Sequence, residues 1–242
     1  MSKLGLLCLL VVAAAAQSSY DPRLSIHTIV REDVFAGFMA NDNDRMARGE
    51  KTVDQLLLER PEAKAPLTAW KGSIAMKRAV DAYDAKRAAV FETEYRKAQA
   101  YYAEATKLDP NDGGVLAVVA ASQALFADRL PEPQRRAAWD TSYTTFREMW
   151  KGQGPGVDRM PLHLKGELLA GMAQTAQRTG HAAEAAEFVE RILTSMPGTA
   201  YAAIAQKWKE EPQAAAKTSL LCHSCHDAGR LEARKATLAT AK

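Results

Sequence analysis

The sequence predicts an all-α chain, organised as a solenoid of helical hairpins. Three observations carry this reading. Alanine is abundant and runs of β-branched residues are scarce, a composition that favours helix over strand. Apolar residues recur at steps of three and four, the period that lines one face of a helix. Pro61, Pro110, Pro131, Pro161, Pro197 and Pro212 stand between the periodic segments, where a missing N–H ends one helix and lets the chain turn. Connections this short make consecutive helices antiparallel neighbours.

The first helical segment, 31–39, opens with Arg31-Glu32-Asp33 and carries Phe35, Phe38 and Met39. The acidic residues complement the positive end of the helix dipole, and the large apolar ones form a core face. Segments 44–58, 65–83, 88–107, 113–126 and 134–150 follow, each with an apolar stripe at helical spacing. Residues 151–161, with several glycines and two prolines, interrupt the series as an irregular loop. Segments 162–178, 182–194, 200–209 and 214–221 complete it. Trp70, Trp139, Trp150, Trp208 and the tyrosines at helical spacing read as packing knobs.

At 242 residues the chain is long enough to bury a sizeable core as one domain or one repeat array. Its net charge is +3, with both signs intermixed and no basic block. That balance points to no nucleic-acid partner.

The best repeat unit spans 162–197. Leu169, Met172 and Ala173 hold its first helix, Gly180 breaks the hairpin, and Ala185, Val189 and Ile192 line its second helix before Pro197. The unit resembles a tetratricopeptide repeat of about 34 residues. Ala98, Tyr102 and Ala105, followed by Leu108-Asp109-Pro110-Asn111, reproduce that family's second helix and closing turn, although Lys86 stands where a small residue is expected. A degenerate third unit ends at Leu58-Glu59-Arg60-Pro61. In such arrays each hairpin buries its apolar stripe only against its neighbours, and Ala and Gly at the crossings allow close approach.

Near the end of the chain stands Cys222-His223-Ser224-Cys225-His226. C-x-x-C-H is the spacing for covalent haem attachment. Cys222 and Cys225 would form the two thioethers to one haem c, and His226 would be the proximal iron ligand. Zinc, a redox dithiol and a local disulfide are the alternatives. A structural zinc site, however, normally draws on a second ligand cluster, and no second cysteine pair exists. The tail after the motif holds no His or Met, so a second axial ligand must come from upstream or from another chain. Counting helix directions puts Cys222 at the same end of the stack as His163, the candidate distal ligand, and His181 at the opposite end. His27, offered by another subunit, is the second candidate. Arg129 and Arg230 are candidate partners for haem propionates.

Residues 1–16 read as a secretory signal peptide: Lys3, an apolar run from Leu4, and Ala14-Ala15-Ala16 before Gln17. The apolar run is shorter than the roughly 20 residues that span a bilayer, and its removal takes Cys8 with it. A helical array over 17–212 and a haem-bearing segment over 213–242 then follow. The chain as a whole resembles exported bacterial proteins that join tetratricopeptide-like hairpins to a terminal C-x-x-C-H. That resemblance implies a periplasmic or extracellular protein carrying one haem on a helical solenoid. The expected activity is electron transfer with a redox partner protein rather than an enzymatic reaction. The rival reading is a binding or self-assembly protein, filament-forming or otherwise homo-oligomeric, in which the haem is structural or sensory. A peroxidase-like activity would need a distal acid or base, and no such motif stands out.

Overall fold

A computed structural model describes residues 20–222 and 229–241. Among these residues the chain is all-α, with no strand. The helices are α1 (Ile26–Arg31), α2 (Val34–Ala40), α3 (Asn43–Glu59), α4 (Lys64–Asp84), α5 (Ala88–Leu108), α6 (Gly113–Ala127), α7 (Gln134–Gln153), α8 (Leu162–Arg178), α9 (Ala182–Ser195), α10 (Ala200–Glu210) and α11 (Arg230–Thr240). Short 3₁₀ segments lie at Pro61–Ala63, Gly154–Arg159 and Pro212–Ala216.

Consecutive helices pair as α2 with α3, α4 with α5, α6 with α7, and α8 with α9, while α4, α6 and α8 touch in succession as an inner row. The apolar positions at three and four residue steps are the ones that disappear from solvent. Leu169, Met172, Ala173, Ala185, Val189 and Ile192 are all buried, as are Ala98, Tyr102 and Ala105. Each large member contributes about 1.5–3 kcal/mol relative to an exposed side chain. The central helix, α6, is buried on most sides, from Val115 to Ala127.

Ion pairs and hydrogen bonds fix the direction of the row. Arg129, just after α6, pairs with Asp84 and Asp81 at the end of α4. Arg178, at the end of α8, reaches Asp128 at 3.1 Å. Halfway along, the Ser73 and Ser122 hydroxyls meet at 2.6 Å. The three inner helices therefore run parallel, with their N-terminal ends gathered on one side. Small residues set the spacing: a methyl at Gly72 would lie 2.6 Å from the Tyr102 ring, and one at Gly171 would overlap Phe146.

One turn geometry closes three hairpins. Asn41, Lys86 and Gly180 take φ of 53°, 58° and 85°. The following N–H reaches back to Gly37, Ala82 and Ala176 respectively, at 2.8–2.9 Å. A left-handed residue after the last turn is what satisfies those orphan carbonyls. Lys86, the departure from the repeat pattern, thus stands where Gly180 stands in the later hairpin and carries the steric cost of a Cβ there. Asn41 gains a further tie, because its Oδ1 accepts from the buried Lys77 ammonium at 2.8 Å. Lys77 is otherwise saturated by the Asp81 carboxylate at 2.6 and 2.5 Å, so this buried ammonium is paired.

Three sequence expectations are corrected, and one helix was not anticipated. The first segment, 31–39, is two helices that begin earlier, at Ile26. Ser25 caps the start by accepting the Thr28 N–H at 3.2 Å, and burial of Ile26, Ile29 and Val30 offsets their weak helix propensity. The irregular loop at 151–161 is mostly helical, since α7 runs on to Gln153 and a 3₁₀ segment buries Val157. Residues 214–221 are not an α-helix. After Pro212–Ala216 the chain extends, because the Gln174 side-chain oxygen takes the N–H groups of Leu220 and Leu221 at 2.7 and 3.2 Å in place of a helical carbonyl. Finally, 230–240 forms α11, with Leu231 and Leu238 half-buried at the seven-residue spacing of a helix face.

Two substitutions test these forces by urea unfolding. Lys86→Gly should raise stability by about 1 kcal/mol by relieving the left-handed Cβ. Gly171→Ala should lower it by about 1–3 kcal/mol through overpacking against Phe146; a neutral Gly171→Ala would show that the α7–α8 crossing is not close-packed.

Candidate functional site

From Gln174 the segment 219–222 runs back along α8 toward its N-terminus. Ser219 donates to Gln174 at 3.0 Å, Leu220 and Leu221 follow, and Cys222 arrives beside Glu167. Both Glu167 oxygens accept the Cys222 N–H, each at 3.1 Å. Glu167 is itself held by Tyr201 of α10, whose hydroxyl donates to Oε1 at 2.5 Å. Tyr201 lies against Gly166, so that helix crossing also depends on a missing side chain.

Cys222 is buried and has φ of 71°. For a residue with a Cβ the left-handed region is costly, and such outliers concentrate where a side chain is used. Cys225 and His226, the other two residues of the motif, lie outside the described residues. Arg230 opens α11.

His163 stands four residues before Glu167, on the same face of α8, and is half-buried. The chain thus reaches the α8 N-terminal end at Cys222, although by an extended segment rather than the expected helix. Leu162 and Leu164, on either side of His163, are 55% and 54% exposed, an unusual outlay of large apolar surface at a helix start.

His27 is nearer to this end than its place in the sequence implies. α1 folds back onto α4, so that the Trp70 indole N–H donates to His27 Nδ1 at 3.1 Å while Nε2 packs on Gly114 at the start of α6. His27 and His163 therefore share the N-terminal side of the inner row. The His27 ring, however, has Nδ1 engaged and Nε2 enclosed, the seat of a structural histidine. Burial pushes its pKa down, Asp112 opposes that shift, and Arg31 adds to it.

The far end of the row holds His181, stacked on Tyr143 at 4.3 Å, and Arg129 in its pairing with Asp81 and Asp84. Arg129 is thereby engaged by two carboxylates at the end opposite Cys222. Among the described residues no cluster of three or more metal-binding side chains occurs, and no helix is long and apolar enough to cross a membrane.

Sequence reasoning missed Glu32, Glu167 and Gln174. Glu32 accepts the N–H groups of Gly229 at 2.8 Å and Leu231 at 3.4 Å, so it caps α11 from the start of the chain. Its acidic first-turn position had a sufficient local explanation, and the spacing of Glu167 from His163 was the one legible signal at this end. No family model, no curated protein and no solved structure matches the chain.

The His27 seat makes a pH prediction. An imidazolium cannot accept from Trp70, so the folded chain resists protonation more than the unfolded one, whose histidine titrates near about 6.5. The contribution is complete above that value and is lost as pH falls from there through the lowered native pKa. Urea midpoints measured from pH 8 to pH 5 should fall more steeply for the parent than for His27→Gln, which keeps an acceptor for Trp70. Parallel curves would remove His27 from the balance.

Proposed function

We propose that the chain is an exported monohaem c-type cytochrome that carries electrons on a tetratricopeptide-like hairpin scaffold. Cys222 and Cys225 hold the porphyrin, His226 is its proximal ligand, and His163 supplies the distal nitrogen. The single observation that carries the reading is the treatment of Cys222. It is the first residue of a C-x-x-C-H, kept buried in a left-handed conformation that glycine would adopt at less cost, with its N–H gripped by a carboxylate.

The surroundings fit a flat apolar group. Leu162 and Leu164 offer exposed surface beside His163, and a covered porphyrin edge would remove that surface from water. Glu167 orients the Cys222 backbone, and Tyr201 holds Glu167 in place. Haem, when bound, supplies a one-electron iron couple whose potential depends on its axial ligands and its burial. The chain's contribution is to fix position and exposure, as a carrier rather than a catalyst. Export fits the motif, because with Cys8 in the signal segment the mature chain would hold cysteines only at 222 and 225.

Two measurements test the reading. Protein produced with haem-attachment machinery should show a pyridine haemochrome spectrum of the two-thioether type and an intact mass raised by one haem; a colourless chain of unmodified mass would end it. His163→Ala should convert a low-spin ferric spectrum to high-spin, whereas an unchanged spectrum would place the distal ligand elsewhere.

A further inference from the structure

We propose that the cleft between α3 and α5 binds a small zwitterion with an apolar body, a free amino acid or a dipeptide, with Arg87 taking its carboxylate and Glu94 its ammonium. The cleft measures about 330 Å³, and its walls also take Arg78 and Asp81 from α4. Asp81 places it at the end of the inner row opposite Cys222, so the inference stands apart from the cytochrome reading.

Two of the four charges in the cleft are spent. Arg78 donates through both terminal nitrogens to Glu50, at 2.9 and 2.5 Å, and Asp81 accepts from Lys77 and pairs with Arg129. The other two are open. Among the described residues no carboxylate pairs with the Arg87 guanidinium, which stands exposed at the start of α5. Glu94 is 15% exposed, and Lys97 occupies only its Oε1, at 3.1 Å. Its Oε2 is buried with no donor. A carboxylate oxygen so placed is costly until a donor reaches it. Rotation about the last side-chain bond, which is soft in glutamate, brings that oxygen to an ammonium in the cleft.

One positive and one negative group therefore remain, while the four charges sum to zero. A lone anion or cation would leave the occupied cleft charged, whereas a zwitterion answers both groups at once. The spacing agrees. Arg87 and Glu94 stand seven residues apart on α5, about 10 Å of helix, and the long arginine side chain shortens that gap to the span of a small molecule. The rest of the wall is apolar, with Met46 and Ala47 from α3 facing Val90 from α5. Val90 is 41% exposed, and an aliphatic group laid against it removes that surface from water.

The test is calorimetric titration of the full-length chain with L-leucine and with L-alanyl-L-leucine. Saturable heat with either supports the site, and the stronger binder distinguishes a free amino acid from a peptide. The amide of that ligand, which lacks the carboxylate, and its deamino analogue, which lacks the ammonium, should each bind the parent about tenfold more weakly, the weight of one charge-assisted bond. Arg87→Gln should lose the preference over the amide, and Glu94→Gln the preference over the deamino analogue. Arg136→Gln, on the exposed start of α7, should bind as the parent does. Arg87 has no described side-chain partner, so Arg87→Gln carries the test even where Glu94→Gln folds poorly. Three results would overturn the proposal: no saturable heat with either zwitterion up to about 10 mM, beyond the millimolar range of weak ligands; binding of inorganic phosphate with neither zwitterion; or parental affinity in both cleft variants.

Discussion

Close approach of helices through small side chains is the constraint on which the rest of this structure depends. Gly72 admits the Tyr102 ring, Gly171 admits Phe146, Gly166 admits Tyr201, and Ser73 touches Ser122. Larger residues at those points would push the helices apart and strip contacts from cores whose stability lies in packing density. With the helices close, α4, α6 and α8 form a parallel inner row, and the second helix of each pair returns along its outside. A hairpin in isolation would leave its apolar stripe wet, so each pair is stable through its neighbours.

A parallel row has two unlike ends. At the C-terminal side of the inner helices the charges are spent on one another: Asp81 and Asp84 with Arg129, and Asp128 with Arg178. His181 and Tyr143 stack there as part of the packing. The N-terminal side gathers His27, His163, Glu167 and Cys222, and α1 brings Glu32 to the start of α11. Chemical asymmetry in this fold is therefore a product of topology. Only a parallel inner row, with α1 and the 219–222 segment folded back to it, places residues from early and late parts of the sequence together.

The helices were legible because their cause is local. An apolar stripe at three and four residue steps, and a proline or left-handed residue at each end, are written into a few consecutive positions. Gly180 announced its turn in this way. Lys86 did not, since a lysine in the left-handed region is tolerated only because the packed hairpin overrides its preference. The non-helical path of 217–222 was hidden for a related reason. The alanines just before it, at 214–216, have helical propensity, but a glutamine side chain on α8 outcompetes the local carbonyls for two backbone donors.

The amino-acid sequence by itself determined the all-α class, the hairpin boundaries and the C-x-x-C-H segment, because each depends on spacing within a few residues of the chain. Tertiary structure alone decided that α1 seats His27 between Trp70 and Gly114, that Cys222 adopts a left-handed conformation beside Glu167, and that Glu32 caps α11. The physical reason is that these contacts join side chains to partners 43 to 197 positions away. A carboxylate that caps a distant helix has the same local sequence as one that faces water, and only the folded chain distinguishes them.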